Sequence, residues 1–117
     1  MTSYLFTFRA PAGYAPTTES FDAWCGWQAA LGARLKDRGY PGTAAARLGA
    51  GPADTTLGGY SLIRASSMEH ALALARDCPM LGHGGSVEIA ELSLTDESFD
   101  QWLDKHPSRG GRRDGRG

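Results

Sequence analysis

Leu57–Leu92, LGGYSLIRASSMEHALALARDCPMLGHGGSVEIAEL, reads as strand, helix, loop and strand in unbroken succession. Leu57–Ala65 (LGGYSLIRA) gathers aromatic and β-branched residues, which fit a pleated surface and predict a strand. Ser66-Ser67-Met68-Glu69 has the form of a capping box: Ser66 is expected to accept from a first-turn amide while Glu69 reaches back. The helix it opens carries Met68, Ala71, Leu72, Ala75 and Cys78 on one face, and Pro79 prevents its continuation. A loop, MLGHGG, leads into Ser86–Leu92, where Val87, Ile89 and Glu91 alternate with Glu88, Ala90 and Leu92 as on a strand.

Upstream, residues 3–9 (SYLFTFR) are aromatic-rich, end at Ala10-Pro11, and predict an opening strand. Residues 19–38 space Phe21, Trp24, Trp27, Gln28, Leu31 and Leu35 by three and four, a helical stripe that Gly39 and Pro41 stop. Gly26 and Gly32 weaken that helix by up to ~1 kcal/mol each relative to Ala. Residues 43–49 (TAAARLG) are an Ala-rich candidate for a second strand, followed by the turn-rich AGPADTT. Downstream, Ser93–Asp104 predicts a further helix with Leu94, Phe99, Trp102 and Leu103 as its apolar residues. The order is β-α-β-β-α-β plus a terminal helix. This is the ferredoxin-like plan of an α+β domain, an antiparallel sheet with both long helices on one face. The strands are apolar on both sides: Leu5 against Tyr4, Phe6 and Phe8, and Ile63 against Tyr60 and Leu62. A sheet with two apolar faces calls for a partner, and a homodimer with facing sheets is expected.

Composition agrees with one domain. The chain has 117 residues, 41% of them hydrophobic, and a net charge of −1, too apolar for wholesale disorder and too neutral to recruit membrane or nucleic acid. The charge is uneven. Residues 107–117 hold four arginines (Arg109, Arg112, Arg113 and Arg116) against Asp114, which leaves residues 1–106 at −4. The expected organisation is a folded domain over 1–106 and a disordered basic Gly/Arg tail over 107–117. The tail has the look of a short RNA-contacting segment without aromatics, a weak exception to the expectation of no nucleic-acid partner. No apolar run approaches the ~18–20 residues of a membrane span, and the start lacks signal-peptide features, so a cytoplasmic protein is expected. Cys25 and Cys78, 53 residues apart with no CxxC spacing, suggest reduced, half-buried thiols and neither zinc nor a disulfide framework.

Four features of the deciding stretch resemble the YCII-related family, also called DGPF-domain proteins. They are Leu57-Gly58-Gly59-Tyr60 opening a strand, a Ser-initiated helix of HALALA type, Cys78-Pro79 at its end, and Gly84-Gly85-Ser86-Val87-Glu88 opening the last strand. The resemblance implies a dimeric α/β-barrel architecture, in agreement with the element order. Two departures stand out. AGPADTT occupies the place of the DGPF signature and lacks it, and the first helix offers Asp22 and Asp37 but no histidine. The His–Asp pair associated with enzyme-like members therefore has no counterpart on that helix.

Of the three histidines, His83 is the candidate for chemistry. It lies in Gly82-His83-Gly84-Gly85, between a helix and a strand, where an imidazole serves as general acid or base if it meets a ligand. Asp77, six residues earlier, would orient it if the loop folds back; the bland alternative is a solvent-exposed loop histidine. His70 and His106 read as surface residues. The glycines 82–85 run from helix to strand, the wrong polarity for a phosphate cradle. Trp24, Trp27 and Tyr14, with Tyr60, offer aromatic surface for a pocket, or core packing. Arg9 and Arg64 lie at the ends of apolar strands, and either fork onto a ligand anion or pair with Glu88 or Glu91 across the sheet.

The resulting expectation is a small-molecule-binding protein without metal or cofactor. In its enzymatic form it is an isomerase, lyase or dehydratase acting on a small aromatic or enol-like substrate. His83 moves the proton, Tyr60 donates a hydrogen bond, and Arg9 or Arg64 holds an anionic group. The competing reading is a non-catalytic accessory or regulatory dimerisation module that binds another protein.

Overall fold

The computed structural model describes residues 2–92 and 99–105. The chain runs β1 (Thr2–Pro11), α1 (Thr18–Leu31), β2 (Leu35–Asp37), β3 (Thr55–Ala65), α2 (Met68–Ala75), β4 (Ser86–Glu91) and α3 (Phe99–Lys105). Short 3₁₀ turns at Gly32–Arg34 and Pro79–His83 follow the first two helices. The four strands form one antiparallel sheet in the order β2-β3-β1-β4, with β1 and β3 central. This is the ferredoxin-like α+β fold.

Alternation along the central strands decides the core. Tyr4, Phe6 and Phe8 of β1 and Ser61, Ile63 and Ala65 of β3 are buried toward the helices. Trp27 and Leu31 of α1 and Ala71 and Ala75 of α2 close over them, with Cys78 and Met80 at the end of the layer. The Trp27 indole N–H donates to the Leu74 carbonyl at 3.0 Å, which ties α1 to α2 and satisfies a polar group inside the core. Phe8 meets Trp24 edge-on at 4.7 Å between ring centroids and Trp27 at 5.9 Å. The register places Leu5, Thr7, Arg9, Tyr60, Leu62 and Arg64 on the opposite face, which α1 and α2 leave uncovered.

Several expectations are corrected. The first helix ends at Leu31, because Gly32 adopts a left-handed φ of 58° that stops the helical ladder. Leu35 reaches the core from β2, paired with Ile63, and not from a fourth helical turn. The second strand expected at residues 43–49 is thus formed by Leu35–Asp37, at the sheet edge, and extended by a bridge between Pro41 and Gly59. Residues 42–54 form an exposed connection with Leu48 wholly in solvent. The Ala-rich segment carries too little side chain to hold a sheet edge.

The start of α2 is Ser67, one residue later than the capping-box reading. Its hydroxyl accepts from the His70 N–H at 3.0 Å, while the Ser66 N–H donates to His70 Nδ1 at 3.0 Å. A capping box does occur at α1, where Thr17 and Ser20 exchange side-chain and backbone bonds. On α2 only Ala71 and Ala75 are buried; Met68 and Leu72 are exposed at the helix flank. The loop expected after Pro79 is wound as a 3₁₀ turn. The first part of the expected terminal helix, His106 and the 107–117 tail lie outside the described residues. Among the described residues no helix is long and apolar enough to cross a membrane.

Candidate functional site

Between α1 and the start of β3 the two layers part, leaving a cavity of about 360 Å³. Its ceiling is the inward face of α1, with Phe21, Trp24, Cys25 and Gln28 at successive turns. Phe8 and Met80 close the inner end, Tyr14 and Pro16 one side, and Arg38–Pro41 with Gly58–Ser61 the other. Two local features shape the sheet side of the cavity. β3 is bulged opposite Phe8 and Arg9, so that Gly59 pairs with Phe8 and Leu57 with Arg9 while Gly58 is extra. Gly39 has a left-handed φ of 71°, and a Cβ there would run into the Tyr60 carbonyl, so only glycine lets residues 38–41 lie against β3. The segment is pinned further: the Ser61 hydroxyl donates to the Arg38 carbonyl at 2.8 Å, and Asp37 Oδ1 accepts from the Gly39 N–H at 2.9 Å.

The wall is aromatic with few polar groups. Ser20 and Ser61 satisfy their hydroxyls within the protein. Gln28 is 8% exposed, and among the described residues its side chain makes no hydrogen bond. Among the described residues Arg38 is the one charged residue lining the cavity, and it stands at the exposed edge. Cys25 is exposed on the same wall. Among the described residues no three His, Cys, Asp or Glu side chains converge as metal ligands.

The residues singled out from the sequence are dispersed. Trp24 and Tyr14 line the cavity; Trp27 is packed in the core beneath it. Tyr60 borders the cavity, but the alternation that turns Ser61 toward α1 sends the Tyr60 ring to the open face opposite Thr7. His83 is exposed at the end of its 3₁₀ turn, its ring centroid 5.4 Å from that of the lining residue Tyr14, but it is not itself among the residues that line the cavity. Asp77 is exposed and no hydrogen bond or ion pair joins it to His83. Arg9 lies on the open face and donates through Nε to the Thr55 hydroxyl at 2.9 Å and through Nη2 to the Thr55 carbonyl at 3.1 Å. Arg64 is on the same face, and among the described residues neither arginine pairs with Glu88 or Glu91.

Gln28, Cys25, Arg38 and Tyr40 are lining residues that the sequence reading did not assign to a site. Gln28 carried a signal, a glutamine at an apolar position of a helical stripe, since a buried amide needs partners. Arg38 and Tyr40 carried none, because their place depends on the strand at Leu35–Asp37 that the periodicity concealed.

No family model matches the chain, and no curated protein does. Among solved structures the chain is similar to 5-chloro-2-hydroxyhydroquinone dehydrochlorinase from Burkholderia phenoliruptrix AC1100, in complex with 2,5-dihydroxybenzoquinone. The two are 17% identical with a TM-score of 0.53, over 80% of this chain and 95% of that one. The likeness is one of fold.

Proposed function

We propose that the protein binds a small, flat aromatic or enol-like molecule in the cavity between α1 and the sheet, and that it acts on it as an isomerase, lyase or dehydratase. The cavity carries this reading. At about 360 Å³ it falls in the range of ligand sites, roughly 300–1,000 Å³, and like them it is apolar with few polar groups. Phe8, Tyr14 and Trp24 present ring faces and edges against which a planar ligand stacks. In the catalytic form of the proposal His83, beside the lining residue Tyr14, exchanges a proton with a part of the ligand that extends past Tyr14. Arg38 takes the place in this proposal that the sequence suggested for Arg9 or Arg64, because it is the arginine on the cavity wall. The 2,5-dihydroxybenzoquinone in complex with the dehydrochlorinase, a flat oxygenated ring, supports the same ligand class. We further propose that two copies pair through the open sheet face.

A thermal-shift screen of aromatic, phenolic and keto-acid compounds tests the reading, run beside His83→Ala. A ligand at ~100 times its dissociation constant stabilises by about 2.7 kcal/mol, which moves the melting temperature by several degrees in a domain of this size. The expected result is a ligand that stabilises both proteins and is converted by the unsubstituted one alone. Absence of any stabilising compound would sink the proposal in favour of an accessory module. A His83→Ala protein that melts far lower without ligand would make His83 a structural residue.

A further inference from the structure

We propose that Gln28 selects the ligand of this cavity, and that it selects a flat ring bearing a hydrogen-bond donor and an acceptor on adjacent atoms. This rests on the reading that the cavity binds a small ring and specifies which ring. Gln28 is on the cavity wall, 8% exposed, and its side chain is unpartnered among the described residues. Its amide holds two N–H donors and a carbonyl acceptor at one end of one side chain. The serines on the same wall direct their hydroxyl protons elsewhere. The Ser61 hydroxyl donates to the Arg38 carbonyl, and the Ser20 hydroxyl donates to the Thr17 carbonyl at 2.9 Å and accepts from the Thr17 N–H at 2.7 Å.

Phe8, Trp24 and Met80, the apolar neighbours on the wall, have no strong hydrogen-bonding group to offer a ligand, apart from the Trp24 indole N–H. While the cavity is open to water, water serves the amide. A ring that expels the water must replace those bonds or lose affinity. A plain hydrocarbon ring leaves both ends of the amide stranded, and a ring with an acceptor alone leaves the carbonyl stranded. A ring with a donor beside an acceptor satisfies both at once. A cyclic amide has that pattern, and so does a hydroxyl adjacent to a ring carbonyl. Among the described residues no acidic side chain lines the cavity and Arg38 stands at its edge, so neutral and anionic rings fit and cationic ones do not.

Isothermal titration calorimetry with two bicyclic probes of one shape tests this. In 2-quinolone an N–H adjoins a carbonyl; quinoline offers an acceptor alone. The chain as it stands is expected to prefer 2-quinolone about tenfold or more, the usual penalty for leaving a site's buried polar group unpaired. In Gln28→Met and Gln28→Leu the preference collapses while quinoline affinity holds or rises. Both variants remove an unpaired polar group from a buried position, so both are expected to fold. Equal affinity for the two probes, or a preference that survives in both variants, overturns the role of Gln28 and leaves ring binding standing. Failure of both probes to bind the unsubstituted protein overturns ring binding itself, and the selection with it.

Discussion

Cys25 and Cys78 have the same side chain and opposite chemistry, and burial separates them. Cys25 is exposed on the cavity wall. Cys78 is 3% exposed, and burial pushes its thiol from an ordinary 9.0 up to about 11, partly offset by a backbone hydrogen bond from Met80. Iodoacetamide at pH 8 is expected to modify Cys25 alone, and a ligand in the cavity to slow that reaction. Equal labelling of the two thiols by mass spectrometry would contradict the assignment. The sign of the pH dependence follows from the same shift. Between pH 9 and 11 the unfolded chain loses the Cys78 proton and the folded chain keeps it, so stability falls as pH rises through that window. Melting temperatures from pH 8 to 11 should fall less steeply in Cys78→Ala. The sequence left both thiols half-buried, because nothing in residue type or spacing separates a cysteine exposed on the cavity wall from one buried in the core.

At the scale of the element, local signals located the start of α2 to within one residue, misplaced its cap and carried its end to Cys78, three residues beyond Ala75. Two serines in a row compete for the position, and the one whose hydroxyl meets the His70 N–H is Ser67. Ser67→Ala is therefore expected to cost about 1 kcal/mol in urea denaturation, the usual value of an N-cap, and Ser66→Ala less. The reverse order would return the cap to Ser66. The first helix shows a different limit. Leu35 continues the three-and-four spacing from Leu31, so periodicity alone extends the helix through it. The left-handed Gly32 turns the chain instead, and Leu35 reaches the same core from a strand. One apolar residue served two geometries, and the sheet edge decided between them. That choice brought Arg38–Pro41 onto the cavity wall.

For the whole molecule, the two faces of the sheet pose different problems. The helix face is filled by Tyr4, Phe6, Phe8 and Ile63 under α1 and α2. Burial raises the Tyr4 phenol above its usual range, and Glu91, its neighbour on β4, adds to the effect. The other face sets Leu5 against Leu62 across the central pair, bordered by Thr7, Arg9, Tyr60 and Arg64. That apolar centre with a polar border is the pattern of a self-complementary interface. Light scattering behind size exclusion is expected to give twice the 12.4 kDa chain mass, and Leu62→Glu to give a folded monomer. A monomer from the unsubstituted chain would end the dimer proposal.

Residue type and order determined the α+β plan on their own. The first, third and fourth strands announced themselves by aromatic and β-branched residues and by alternation, the long helices by spacing, and the sequence of elements then admits few topologies. Trp24 and Tyr14 were also legible as aromatic pocket candidates. What only the tertiary structure decided is where the layers part. The bulge at Gly58, the left-handed Gly39 and the switch of Leu35 from helix to strand act across residues far apart in the chain. A cavity is space between elements, and no single element's pattern encodes it. For the same reason Gln28 became a candidate for the site only when its burial and its missing partner were visible together.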